Sequence, residues 1–82
     1  MKLKTDFNMT LAEALEGCPA RIDRVEAEGE ERDRLEAIGL CAGRTVEVVK
    51  AGDPMIVRVL GTRIGLAATV ARAVWLRPGR AD

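Results

Sequence analysis

Residues 45–66 read TVEVVKAGDPMIVRVLGTRIGL, and this stretch decides the fold. Val46 and Val48 flank Glu47, the period-two alternation of a strand with one buried face. Ala51-Gly52-Asp53-Pro54 then breaks the pattern: proline sets φ and glycine admits conformations closed to other residues. Met55 to Leu60 is apolar on much of both faces, with Arg58 the one clear polar interruption. Gly61-Thr62 separates it from a further short run, Arg63 to Ala67, in which Ile64 and Leu66 share a face. Glycine at the first central position of a two-residue loop predicts a type II′ hairpin there. Three consecutive strands joined by short turns are a meander, and none of the connections is long enough for the crossover of a parallel sheet.

Working outward, Ala68 to Arg72 reads as one helical turn, and Ala73 to Arg77 as a last strand. In that strand Val74 and Leu76 face one way and Trp75 the other. Pro78-Gly79 closes the pattern. On the N-terminal side, Glu28 to Leu40 is a charged segment with a thin apolar stripe of Leu35, Ala37 and Ile38, read as a helix of two turns. Glu28, Glu30 and Glu31 suit its N-terminus, Gly39 a left-handed position after its end, and Leu40 the apolar contact beyond it. Ala20 to Ala27 alternates but slips phase after Ile22, which predicts a strand with a bulge near Asp23–Arg24. Thr10 and Glu13 have the spacing of a capping box. They open a short helix with Leu11, Ala14 and Leu15 on one face, ended by Gly17 and Pro19. The chain is thus expected to be a single domain over residues 1–82, with its core in 10–77 and flexible ends at 1–9 and 78–82. The fold class is mainly β with two short helices, about five strands in a small closed or partly closed barrel, although periodicity alone would also permit a sandwich.

The 82 residues carry 13 basic and 13 acidic side chains, so the net charge is zero. The balance is uneven along the chain: residues 1–41 hold 6 basic and 10 acidic groups, residues 42–82 hold 7 and 3. No histidine or tyrosine is present. The commonest general base and transition-metal ligand is therefore missing. No nucleophile elbow, phosphate-cradling loop or zinc-binding helix motif occurs. No catalytic residue, metal ligand or cofactor is assigned, and the chain is not expected to be an enzyme. Cys18 and Cys41 stand far apart in sequence without companion ligands, and read as small apolar residues in a reducing compartment. The polar N-terminus lacks a signal peptide's apolar stretch, and no run is long enough to span a membrane. Expectation therefore favours the cytoplasm. Arg58, Arg63, Arg72 and Arg77 could line a nucleic-acid stripe, but the pI of about 6.3 and the single pair of aromatics, Phe7 and Trp75, argue against it. Contact with a protein is the remaining mode of action. The residues expected to carry it are Trp75, turned away from its neighbours; Met55 and Ile56, beside the Gly-Asp-Pro turn; and Leu40 and Cys41, after the helix. The apolar Met55–Leu60 strand would also favour weak self-association if it lay at a sheet edge.

The run Arg34-Leu35-x-x-Ile38-Gly39-Leu40-x-x-Gly43 resembles the signature of the FeoA family, accessory proteins of bacterial ferrous iron uptake. Gly52-Asp53-Pro54, Gly61 and the closing Leu66, Ala71, Val74 and Leu76 resemble the family's later motifs, and Leu11, Ala14, Leu15 and Gly17 its opening. Ala42 and Ala67 depart from it, standing where the family often has proline and arginine. The resemblance implies an SH3-like barrel and an association with transition metal ions. It also implies a cytosolic partner, the GTP-binding region of the FeoB ferrous iron transporter. A related domain occurs at the C-terminus of metal-dependent transcriptional regulators, beside a DNA-reading domain and a dimerisation region for which this chain has no room.

Overall fold

The computed structural model describes residues 9–77. The expected flexible ends, apart from Met9, lie outside the described residues, as do Phe7 and Pro78-Gly79.

A 3-10 turn at Leu11–Glu13 is followed by β1 (Pro19–Val25), α1 (Gly29–Ala37), β2 (Thr45–Lys50), β3 (Met55–Val59), β4 (Thr62–Leu66), α2 (Ala68–Ala71) and β5 (Val74–Leu76). The five strands form one antiparallel sheet in the order β4-β3-β2-β1-β5. β1 joins its two halves. Pro19 to Arg21 pair with β2, whereas Ile22 to Val25 pair with β5, and the register shifts between Ile22 and Arg24. The phase slip in the sequence therefore marks the bulge that lets one strand turn from one neighbour to the other.

One face of this coiled sheet closes over the core. Val46 and Val48 of β2 sit opposite Val59 and Val57 of β3, and Met55 opposite Leu66 of β4. All six are buried, together with Leu11, Ile22, Leu35, Leu40, Ala71, Val74 and Leu76. Hydrophobic burial of alternate positions explains why the meander holds its register: a slip by one residue would expose the whole set.

α1 contributes little to the core beyond Leu35. Its C-terminus carries the order. Gly39 adopts φ 102°, its N–H donates to the Glu36 carbonyl at 3.0 Å, and the Leu40 N–H donates to the Leu35 carbonyl at 2.9 Å. This is a Schellman closure, with buried Leu40 packing the chain as it leaves the helix.

Four expectations are corrected. The opening helix is only a three-residue 3-10 turn, with Ala14 already extended, so Leu15 does not share a face with Leu11 and is 73% exposed. α1 stops at Ala37. Ile38 lies at its cap, where the backbone has left helical geometry at ψ 2°, and stands 37% exposed. The first strand ends at Val25, before Ala27. The hairpin turn lies one residue earlier than expected: Val59 pairs with Thr62, and the central residues are Leu60 at φ 53° and Gly61 at φ 75°. Positive φ at both is the type I′ signature, whose twist suits adjoining strands better than the sequence pattern alone reveals.

Candidate functional site

The outer face of β2, β3 and β4 is the one that the core does not consume. Register places Glu47, Arg58 and Arg63 in a row across the three strands, and Ile56 beside Gly65 in the next row. Arg58 donates to the Glu47 carboxylate at 3.2 Å. Both are part-exposed, so the ion pair adds little stability. Its effect is to engage Glu47 with Arg58, the residue that stands between it and Arg63 in the row. Among the described residues Arg63 makes no ion pair or side-chain hydrogen bond. The half-buried Ile56 leans over Gly65, where an added Cβ would meet only its Cδ1 at 3.8 Å and the Met55 carbonyl at 4.0 Å. The result is a shallow apolar step at the sheet margin, flanked by two arginines.

The sequence-derived contact residues scatter around the molecule. Leu40 and Met55 are buried in the core, so neither presents its side chain to a partner. Ile56 alternates with Met55 and reaches the outer face. Cys41 is half-buried, 3.9 Å from an Arg44 guanidinium nitrogen, and Cys18 is exposed. Trp75 is half-buried on β5, with the Arg24 guanidinium 4.9 Å from its ring centre. That cation–π contact covers the indole from the β1 side. The indole N–H is buried and finds no acceptor among the described residues.

Sequence reasoning missed several features. Asp53, read only as part of a turn, accepts a hydrogen bond from the Ala68 N–H at 3.0 Å and so caps α2 from another loop. Glu16 likewise accepts from the Ala51 N–H at 2.7 Å. Neither contact has a local sequence signal, because the partners are 15 and 35 positions apart. Leu60, 61% exposed at the hairpin tip, lies against the end of α1: a Cβ on Gly39 would come within 2.8 Å of its Cδ1. Of the four candidate nucleic-acid arginines, the register brings Arg58 and Arg63 together, while Arg72 follows α2 and Arg77 follows β5. Among the described residues no cluster of three or more acidic, cysteine or histidine side chains is placed to hold a metal ion, and no helix is long and apolar enough to cross a membrane.

Comparison with known proteins fits this geometry. FeoA from Chlorobium tepidum superposes with a TM-score of 0.80 at 28% identity, covering 90% of this chain and 73% of that one. FeoA from Stenotrophomonas maltophilia, solved in complex with zinc and put forward as an SH3 domain protein that activates ferrous iron transport, gives 0.74 at 28% identity over 90% and 99%. A manganese-dependent transcriptional repressor shares the fold at TM-score 0.77 and 16% identity, with 88% of this chain spanning 42% of the repressor. No curated protein sequence matches significantly. The FeoA domain model matches residues 9–78, which takes in every strand and helix described above. The chain therefore belongs to the FeoA family of ferrous iron transport accessory domains, with the family's SH3-like fold.

Proposed function

We propose that this chain works in the cytoplasm as a non-catalytic accessory of ferrous iron uptake, by docking onto the cytosolic GTP-binding region of a FeoB-type transporter. The observation that carries the reading is the match of the whole described fold to FeoA proteins of ferrous iron transport. The outer sheet face supports it. Ile56 offers apolar contact there, and Arg58 and Arg63 offer charge, the mixture found at the core and rim of protein interfaces. The core itself is filled by aliphatic side chains, so the contact offered to a partner lies on the outer face.

The test is retention of the transporter's purified cytosolic domain on the immobilised chain, together with ferrous iron uptake by cells lacking the chain. Retention that Ile56→Asp weakens, with uptake falling on deletion, is expected. No retention, combined with unchanged uptake, would overturn the reading.

A further inference from the structure

An antiparallel sheet has two edges, and each exposes backbone donors and acceptors unless something covers them. At β5 the edge is covered: the Leu76 N–H donates to the Met9 carbonyl at 2.8 Å, and Thr10 bridges to Trp75. Among the described residues β4 pairs only with β3. In a two-residue hairpin the residues flanking the turn exchange hydrogen bonds, so Thr62, Ile64 and Leu66 point their backbone groups at β3. Arg63 and Gly65 point theirs away. No backbone hydrogen bond engages either outward pair among the described residues.

We propose that this open edge accepts an extended, acidic segment of a partner protein as an added strand. The inference deepens the docking reading above by naming its surface and the chemistry of its occupant. Three observations converge on it. First, the edge presents two unpaired donor–acceptor sets, at Arg63 and Gly65, in the alternation that an incoming strand matches. Second, Gly65 is exposed and has no side chain, and the atoms nearest its Cβ position, Ile56 Cδ1 and the Met55 carbonyl oxygen, belong to β3 on the side away from the edge, so no side chain of Gly65 itself stands in the way of another backbone at the edge. Third, the outer row ends in an uncompensated arginine, since Glu47 is already engaged by Arg58. An acidic side chain opposite Arg63 continues the row Glu47–Arg58–Arg63 with the favourable sign. The same charge discriminates against a second copy of this chain. Two β4 strands paired edge to edge would gather Arg58 and Arg63 from both copies on one face, and like charges in neighbouring cross-strand positions repel.

The probe is a short blocked peptide alternating glutamate with valine, compared with its lysine–valine counterpart, followed by amide NMR and hydrogen exchange on the whole chain. The acidic peptide is expected to protect the Arg63 and Gly65 amides from exchange, and the lysine peptide to leave them unchanged. Gly65→Pro removes an outward donor without touching the β3 ladder, and should abolish protection while the far-UV spectrum and melting transition persist. Arg63→Glu keeps every backbone group and should weaken the acidic peptide roughly fivefold. It decides the matter alone if Gly65→Pro fails to fold. Equal binding of both peptides, shifts confined to other strands, or indifference to both substitutions would overturn the inference. So would protection at β4 that rises with protein concentration in the absence of peptide, because that reports self-pairing. The two proposals fail separately. A transporter domain that binds both variants as well as the wild-type chain removes the edge and leaves the docking reading intact. Peptide protection at β4 without retention of the transporter domain does the reverse.

Discussion

β5 and β4 are the two edges of one sheet, yet among the described residues only β5 has outer backbone groups occupied. The difference lies in what the neighbouring chain does. On the β5 side the segment at Met9–Glu13 returns across the edge. Thr10 bridges Trp75, the Met9 carbonyl takes the Leu76 N–H, and Leu11 enters the core completely buried. On the β4 side the chain turns at once into α2, and only a charged side chain and a glycine stand at the margin. A sealed edge is held by packing and contributes stability. An open edge guarded by charge contributes little and stays available.

The largest test of that contrast is Leu11→Ala. Removing a fully buried leucine costs about 3 kcal/mol, the transfer term plus the cavity left behind. Urea denaturation should show this loss, with faster exchange of the Leu76 amide as the seal loosens. A cost below about 1 kcal/mol would mean that the segment merely rests on β5. Gly39→Ala comes next. The residue sits at φ 102°, and its new Cβ would approach Leu60 Cδ1 to 2.8 Å. The exposed Leu60 tip can move aside, so the backbone conformation supplies most of the expected 1–2 kcal/mol, roughly, in a thermal or urea melt. Smaller again is Glu13→Ala. Its carboxylate accepts the Thr10 N–H at 2.8 Å beside the sealed edge, and losing it should cost about 1 kcal/mol. Unchanged stability would show that the seal does not depend on its cap.

The sealed side was the less legible of the two in the sequence. The capping box at Thr10 and Glu13 was visible, but its use as a clasp over β5 joins residues more than sixty positions apart, and no local pattern encodes that. Alternation was a reliable guide wherever one face is buried, as at Val46, Val48, Val74 and Leu76. It misled where helices are short: Leu15 and Ile38 continue a helical spacing that the backbone abandons before reaching them. The candidate site was legible only in part. Ile56 reaches the outer face as alternation from Met55 requires, whereas Leu40 and Met55 are consumed by the core. Arg63 and Gly65 stand out only once strand order shows which strand lacks a neighbour, and that order is a property of the assembled sheet.

The smallest expected effect concerns how the open side holds itself together without a seal. Its hairpin closes through Leu60 and Gly61, both at positive φ. Leucine is a poor residue there, because a left-handed conformation crowds its Cβ against the carbonyl, and asparagine tolerates it better. Leu60 offsets part of that strain by lying against Gly39, though with 61% of its surface exposed the contact is thin. Leu60→Asn gives the turn the asparagine–glycine pair that type I′ geometry prefers. It should therefore raise stability, by about 0.5 kcal/mol, seen as a small increase in melting temperature. A decrease would mean that the contact with the end of α1 outweighs the turn. β4 would then be braced by packing after all, like the edge across the sheet.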